Sequence, residues 1–202
     1  MPRTSRLAAA LAVCLLAATS LPAQAPAAAP LPTWKIDLAH SEVSFRIRHF
    51  MSKVSGTFTD WSGTIQADPA NWAGGSVSVS IVTASVSTRN ETRDNDLRSP
   101  RFFNADSFPA ISFVSRSVEQ KGDSLTVSGD LTMRGVTKPV VLKGSVLGVM
   151  PGARPRAGFE VTTSLNRMDY GVAWNRVLEG GGTMLGDDVE IRINVEALRQ
   201  EP

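Results

Sequence analysis

The chain has 202 residues, with 21 Lys+Arg, 19 Asp+Glu and one Cys. This length is sufficient for one domain with a substantial core. A hydrophobic fraction of 42% beside 20% charged residues excludes a disordered chain and a membrane protein with several spans. The single Cys excludes an intramolecular disulfide framework and a Cys-rich zinc module.

The first 25 residues have the three parts of a secretory signal peptide. Arg3 and Arg6 precede an aliphatic run, residues 7–18, and Ala23-Gln24-Ala25 follows as an A-x-A cleavage site. This apolar run is shorter than the ~20 residues that a helix needs to cross a bilayer. We therefore expect cleavage near Ala25, no stable membrane insertion afterwards, and a periplasmic or secreted protein.

Cleavage would change the charge balance of the chain. Without Arg3 and Arg6, the remaining 177 residues (202 less 25) hold 19 basic and 19 acidic residues and no Cys. A formal charge of zero gives no support to nucleic-acid binding. The Pro/Ala-rich residues 26–33 are predicted to be a linker, and residues 34–199 a single domain.

Alternation of apolar and polar residues with period two dominates residues 34–199 and indicates β-strands. Turn sequences such as Asp68-Pro69 and Pro151-Gly152 separate the runs. About eight strands at this spacing predict an all-β fold, and a single antiparallel, lipocalin-like β-barrel is favoured because closure removes exposed edges. The alternating runs are 43–49, 77–81, 111–114, 125–133, 142–148, 159–165 and 189–197, and residues 56–67 form a further strand-like run that glycines interrupt, which suggests a bulge or bend.

One polar segment, residues 88–99, interrupts the strand pattern. It is dense in charge, Thr88 or Asn90 can serve as its N-cap, and Pro100 ends it, which predicts a short helix. Three Phe residues follow within 102–108. They are interpreted either as a lid over an apolar interior or as side chains that fill the end of the barrel.

The barrel interior is the feature that suggests a function. Eight strands enclose a space that is either just filled by side chains or holds one small ligand. The small inward residues Gly129, Gly144, Thr163 and Ala197 favour unfilled space. A cavity lined by Phe, Met and Leu would select a long apolar chain, because each buried CH₂ contributes about 0.8 kcal/mol. Arginines near the helix are candidates to hold an anionic head group: Arg93, Arg98 and Arg101.

Catalytic and metal-binding patterns are sparse after residue 25. His40 and His49 are the only His, and the sequence has neither a Gly-x-Ser-x-Gly nucleophile motif nor a phosphate loop. We therefore predict a binding protein without a metal or cofactor. Two alternatives stay open. One is an enzyme acting on a lipid or isoprenoid, with either His as acid or base and Asp94 or Asp96 as its partner. The other is a stress-response module without a small ligand.

Several strings together resemble the YceI-like family. They include Trp34-Lys35-Ile36-Asp37-Leu38-Ala39-His40-Ser41, the segment 129–140 (GDLTMRGVTKPV) and the segment 166–171 (NRMDYG). The resemblance runs from Trp34 to Leu198. It implies a lipocalin-like barrel, export, and binding of polyisoprenoids, isoprenoid quinones or related amphiphiles inside the barrel, without an established catalytic activity. The implied partner is a long-chain apolar or amphiphilic small molecule, and a homodimer is left open.

The resemblance also marks site residues and two departures. The family usually has His at position 96 and an acid at position 101, where this chain has Asp96 and Arg101. His to Asp replaces a group that titrates near neutral pH with an anion, so a role of that His cannot be carried over. The combined candidates for ligand binding are Phe45, His49, Phe58, Arg93, Asp94, Leu97, Phe102, Phe103, Phe113, Leu131, Met133, Asn166, Arg167 and Trp174.

Overall fold

A computed structural model describes residues 30–201 of the chain. The signal peptide predicted for residues 1–25 and part of the predicted linker lie outside these residues. The strands are β1 (Thr33–Ile36), β2 (Glu42–His49), β3 (Ser52–Phe58), β4 (Trp61–Asp68), β5 (Asn71–Val82), β6 (Val86–Ser87), β7 (Ala110–Lys121), β8 (Ser124–Met133), β9 (Val136–Met150), β10 (Arg156–Asn166) and β11 (Leu185–Arg199). One α-helix, α1 (Glu91–Arg98), and three 3-10 helices (Leu38–His40, Thr83–Ser85, Arg167–Tyr170) complete the described elements.

Eight strands form a closed antiparallel ring in the order β1-β4-β5-β7-β8-β9-β10-β11. The ring closes where β1 pairs with β11, with Trp34 opposite Arg199 and Ile36 opposite Ala197. β2 continues β1 along the same edge of β11, and β3 pairs with β2 just as β4 pairs with β1. β6, which follows β5 in the chain, pairs with β3. Each of the pairs β1–β2, β3–β4 and β5–β6 therefore acts as one bent strand of a single up-and-down barrel. This confirms the predicted lipocalin-like fold of about eight strands.

The period-two pattern sorts side chains between the barrel interior and its surface, as an antiparallel sheet requires. On β8, for example, Leu125, Val127 and Met133 are buried. One buried cluster contains Trp34, Trp72 and Phe159, and a second one lies nearer to α1 and contains Phe58, Trp61, Val86 and Tyr170. No helix among residues 30–201 is both long and apolar enough to span a bilayer.

The predicted short helix is present as α1. The Asn90 side chain caps it by accepting a hydrogen bond from the Arg93 N–H at 3.0 Å. Asp94 on the helix is buried, and its Oδ1 accepts from both the N–H and the hydroxyl of Thr88. These contacts hold the helix against the chain that leads into it.

The expectation that small inward residues leave empty space is wrong for two glycines. A Cβ on Gly144 would collide with the backbone of Glu160, and a Cβ on Gly129 would lie 2.6 Å from the Phe113 ring. Both positions are occupied by neighbouring groups that approach closely. The glycines thus permit tight packing of adjacent strands and add no cavity volume.

Candidate ligand-binding cavity

A cavity of about 380 Å³ lies inside the barrel. This volume falls within the ~300–1,000 Å³ that is common for small-molecule sites. The lining is almost entirely aliphatic and aromatic, because each barrel strand turns one apolar face inward. Side chains that line it from different strands include Phe45, Phe58, Phe113, Leu131 and Met133.

Aromatic side chains close the end of the cavity that is farther from α1. Trp72 packs against Trp34 with ring centroids 5.2 Å apart and against Phe159 at 4.7 Å. The indole N–H of Trp34 donates to the Ala67 carbonyl at 3.1 Å, which satisfies its only polar atom. All three rings are buried, and Trp72 and Phe159 line the cavity, so they form its apolar floor with Trp34 packed against Trp72.

The charged lining residues gather at the opposite end, which we call the mouth, whereas Ser76 and Thr163 are polar lining residues elsewhere in the cavity. The mouth is bounded by α1, by residues 171–184 and by the end of β2. Its polar or amphipathic lining residues are His49, Thr88, Arg93, Asp96, Arg167 and Trp174. The cavity is therefore amphipathic along its length, with an apolar floor and a charged rim.

Arg93 is oriented at the mouth by Thr88. Its Nε donates to the Thr88 hydroxyl at 2.7 Å, and its Nη2 donates to the Thr88 carbonyl at 3.1 Å. Thr88 in turn donates its hydroxyl to Asp94 at 2.5 Å. The linked hydrogen bonds Asp94–Thr88–Arg93 fix the guanidinium beside the cavity. Arg93 Nη1 makes no hydrogen bond to any residue within 30–201.

Arg167 is a buried cation in the wall of the mouth. Its Nε donates to Gly186 O at 2.8 Å and its Nη1 to Val172 O and Trp174 O at 2.5 and 2.9 Å. Its Nη2 lies 3.5 Å from the exposed carboxylate of Asp187. Burial lowers the pKa of Arg167, and the charge of Asp187 acts in the opposite direction. Arg167 thus fastens residues 172–186 to the barrel.

Arg101 and Trp174 connect the two sides of the mouth. The Arg101 guanidinium lies 4.6 Å from the centroid of the Trp174 ring and 3.5 Å from the carboxylate of Asp96. The ring of Trp174 also packs on Phe102 at 5.3 Å. This arrangement joins the segment after α1 to residues 171–184. No sequence pattern indicated it, because the two residues are more than 70 positions apart.

Twelve of the fourteen predicted ligand-binding residues line the cavity. They are Phe45, His49, Phe58, Arg93, Leu97, Phe102, Phe103, Phe113, Leu131, Met133, Arg167 and Trp174. Asp94 and Asn166 do not line it. Asp94 is bonded to Thr88, and the Asn166 side chain caps a 3-10 helix by accepting from the Met168 N–H. Both side chains are thus engaged in local hydrogen bonds beside the cavity.

The predicted head-group arginines are not equivalent. Only Arg93 lines the cavity. Arg98 points elsewhere, because its Nε donates to Ala84 O at 2.7 Å and its Nη2 to Val86 O at 3.0 Å. Arg101 is engaged by Asp96 and Trp174. The structure thus assigns Arg98 to holding α1 against the chain before it.

The two histidines occupy different environments. His40 lies outside the cavity and is exposed, and its Nδ1 is 2.9 Å from Asp37. This hydrogen bond lowers the pKa of Asp37. Asp37, His40 and Glu196 lie close enough to share a cation, but Arg156 forms ion pairs with both acids.

His49 lines the mouth of the cavity and packs edge-on against Phe50 at 4.7 Å. Within residues 30–201 no carboxylate lies within ion-pairing distance of its ring. A His–carboxylate pair inside the cavity would favour the enzyme alternative. Neither His provides that pair. The alternative of a module without a small ligand predicts a barrel with no internal cavity, which the observed cavity contradicts.

Comparison with known proteins assigns the chain to a family. The model of the YceI-like domain matches residues 34–197. This chain belongs to the YceI-like family. A YceI protein of Salmonella arizonae is 39% identical over 176 residues, which cover 83% of this chain and 87% of that protein. A UPF0312 protein of Staphylococcus aureus is 36% identical over 171 residues, which cover 82% of this chain and 97% of the relative.

Solved structures share the barrel. The YceI protein of Campylobacter jejuni superposes with a TM-score of 0.66 at 32% identity, over 75% of this chain and 88% of the other. Burkholderia cenocepacia BcnA superposes with a TM-score of 0.70 at 25% identity, over 80% of this chain and 98% of the other. A polyisoprenoid binding domain from Saccharophagus degradans superposes with a TM-score of 0.64 at 15% identity, over 84% of this chain and 99% of the other. This likeness concerns the fold alone.

Proposed function

We propose that this YceI-like protein is an exported carrier that holds one long-chain isoprenoid, isoprenoid quinone or related amphiphilic lipid inside its barrel. The observation that carries the proposal is the distribution of polarity in the cavity. Its walls and floor are almost entirely apolar, and its charged residues are confined to the mouth. This matches a molecule with a long apolar chain and one polar head. A binding role without catalysis is part of the proposal.

The apolar chain would lie along the barrel axis, toward Trp72 and Phe159. Apolar burial is not directional, so the walls favour any chain of suitable length and width. Each CH₂ removed from water adds about 0.8 kcal/mol to binding, so tight binding needs few polar contacts. The cavity selects for length and hydrophobicity rather than for a particular functional group.

The polar head would lie at the mouth, beside Arg93. Arg93 Nη1 is available to an acceptor such as a phosphate oxygen or a quinone carbonyl, because only its Nε and Nη2 are bonded to Thr88. Arg167 is less suited to this role, since its nitrogens already contact three carbonyls and Asp187. We therefore assign head-group contact to Arg93 and a structural role to Arg167.

Two further observations support the proposal. The structure from Saccharophagus degradans that shares this fold is named as a polyisoprenoid binding domain. Export is supported by the features of the first 25 residues: Arg3 and Arg6, the aliphatic run, and Ala23-Gln24-Ala25. A carrier in the periplasm or outside the cell would meet lipids that have left the membrane.

The experiment is to identify what the protein carries when purified from cells that export it. Native mass spectrometry would give the mass of the bound molecule, and organic extraction would release it for identification. We expect one lipid per barrel and displacement of a hydrophobic fluorophore by an isoprenoid alcohol. The intact mass of the protein would also show whether cleavage occurs near Ala25.

A matched pair of variants tests whether the interior is the site. Leu131 on β8 lines the cavity, whereas the next residue, Thr132, faces away from it and bonds to Thr137 at 2.8 Å. Leu131→Trp should fill the cavity and abolish fluorophore binding, and Thr132→Trp should retain it. Equal binding by both variants, or a purified barrel with no lipid and no fluorophore binding, would overturn the proposal.

A further inference from the structure

Two segments face each other across the mouth of the cavity. Residues 99–108 follow α1 and contribute Phe102 to the lining, and residues 171–184 contribute Trp174. Within residues 30–201 no backbone hydrogen bond joins these two segments. Contacts of side chains therefore set the width of the mouth between them.

Arg134 forms hydrogen bonds to both segments. It lies in the turn between β8 and β9, and its Nη1 donates to Gly171 O at 2.7 Å. Its Nη2 donates to Pro100 O at 3.0 Å. A guanidinium can bond to both carbonyls because its donors are fixed in one plane and point in different directions. One side chain from a third part of the barrel thus holds the backbone of both sides of the mouth.

The backbone conformation of Arg134 is unfavourable for its residue type. Met133 pairs with Val136, so Arg134 and Gly135 form a two-residue hairpin turn, and their φ angles are 51° and 75°. A turn with two positive φ angles favours Asn, Asp or Gly at its first position, because other side chains clash in the left-handed region. The arginine costs free energy here, so the turn by itself does not explain its presence.

Two further details concern the guanidinium. Arg134 Nε is buried and has no hydrogen-bond partner among residues 30–201, which is a second unfavourable contribution. Gly171 has a φ of 71°, and a Cβ at this position would lie 2.8 Å from Arg134 Nη1. The glycine therefore leaves room for the guanidinium to reach the carbonyl. The favourable contribution of Arg134 lies in its contacts across the mouth.

The segment after α1 depends on this contact more than the opposite loop does. In the part of the chain that the structure describes, the backbone of residues 99–108 forms hydrogen bonds only within the segment and to α1, apart from the bond from Arg134 to Pro100 O. Residues 171–184 are instead fastened to the barrel by Arg167. Loss of the Arg134 contact would therefore release the segment after α1 and leave the loop in place.

We propose that Arg134 is the clasp of the mouth, a positioning residue that holds residues 99–108 against the opposite loop and so limits exchange of the ligand. Breaking its bond to Pro100 O would widen the path between Phe102 and Trp174, whose ring centroids are 5.3 Å apart. Arg134 does not line the cavity, so it acts on the rate of passage and not on contacts with the bound molecule. The effect on exchange rests on the proposed carrier function, whereas the clasp itself does not.

The variant Arg134→Asn separates the clasp from the turn. Asn followed by Gly135 is a favoured pair in this kind of turn, so the hairpin should fold at least as well as in the wild type. Arg134→Lys keeps the cation but replaces two fixed Nη donors with a single ammonium, which should hold the two carbonyls less well. The control is Arg116→Asn, because Arg116 is exposed, bonds to Asp130 and forms no hydrogen bond to either segment.

Stopped-flow mixing with a hydrophobic fluorophore measures exchange. We expect Arg134→Asn to accelerate association and dissociation about tenfold, the factor for one hydrogen bond to a charged group, with a dissociation constant changed less than about twofold. The urea midpoint should stay the same or rise. Arg134→Lys should have intermediate rates, and Arg116→Asn should match the wild type. Unchanged rates in Arg134→Asn, or faster exchange together with a lower urea midpoint, would overturn the proposal.

Quenching of tryptophan fluorescence tests the clasp without a ligand. Three of the four tryptophans are buried: Trp34, Trp61 and Trp72. Acrylamide should therefore reach chiefly Trp174, and it should quench Arg134→Asn more strongly than the wild type or Arg116→Asn, because Phe102 no longer covers the ring. Equal quenching in the three proteins would contradict the clasp. A wild type that binds no fluorophore would instead refute the carrier function, and the quenching result would still decide whether the clasp exists.

Discussion

The Arg101 guanidinium lies 4.6 Å from the centroid of the Trp174 ring and so connects the segment after α1 with the loop on the other side of the mouth. Asp96 holds the other side of the guanidinium at 3.5 Å. The segment after α1 is therefore joined to the opposite loop of the mouth by contacts between side chains. Contacts of this kind at exposed sites contribute about 1 kcal/mol or less, so breaking them costs little free energy.

The first prediction concerns this contact. Arg101→Gln removes the cation and should accelerate release of a bound fluorophore about two- to fivefold. This factor corresponds to the free energy of about 0.5–1 kcal/mol that a cation–π contact contributes at an exposed site. Stopped-flow displacement by excess unlabelled lipid would measure the rate. Arg116→Gln is the control, because Arg116 is also exposed and paired with an acid, Asp130, but forms no cation–π contact with Trp174. Equal release rates in the two variants would contradict a gating role.

The second prediction concerns Arg167. Arg167→Met leaves the carbonyls of Val172, Trp174 and Gly186 without their donor and should lower the free energy of unfolding by about 3 kcal/mol. Urea denaturation would measure the loss. The exposed Arg116→Met should change the free energy of unfolding by less than about 1 kcal/mol. An Arg167→Met variant as stable as the wild type would show that these hydrogen bonds contribute little.

The third prediction concerns close packing of strands. Gly144→Ala places a methyl group against the Glu160 backbone, which cannot yield without moving β10, and should cost about 3 kcal/mol or prevent folding. Gly158→Ala is the control, since its Cβ would lie 3.4 Å from the side chain of Leu147. Thermal unfolding of both variants checks the difference. Similar melting temperatures would contradict the close approach at Gly144.

The fourth prediction concerns pH. Burial, together with the charge of Asp169, raises the pKa of Tyr170. The folded state therefore favours the neutral phenol. Its contribution to stability is fully present below the unfolded pKa of about 10 and is lost as pH rises through the native value.

Tyr170 is the only Tyr in the chain, so difference absorbance of the phenolate reports this residue alone. We expect the native protein to titrate at higher pH than the protein in denaturant. The free energy of unfolding should fall above about pH 10, and less steeply in Tyr170→Phe. Coincident titration of the folded and unfolded protein would contradict the effect of burial.

The strand pattern of this chain could be predicted because alternation is local. On β8, Leu125, Val127, Leu131 and Met133 mark one face without reference to any other strand. The helix α1 was predictable for the same reason, since Asn90 and Pro100 act on their own neighbours. Most cavity-lining residues follow from this periodicity, which identifies a face but not what that face contacts.

The roles of polar residues were less predictable. Asp94, Asn166 and Arg98 carry the same charges and donors that a ligand site would use, but the structure engages them in local hydrogen bonds. Whether a polar side chain faces a cavity or a nearby backbone group depends on a rotation of a few bonds, which residue type does not specify. The interpretation of Gly144 was wrong for another reason, because the backbone of Glu160 on the neighbouring strand β10 fills the space beside it, and only the pairing of the strands brings it there.

By itself, the sequence determined a thiol-poor, electrically near-balanced chain of alternating strands with a polar helix, because composition and period-two patterning act within a few residues. Only the tertiary structure decided that β1 closes on β11, that polar groups gather at one end of the cavity, and that Arg101 meets Trp174. These relationships join residues far apart in the chain, and they depend on the register and curvature of the whole barrel. The space inside exists because the strands close around it.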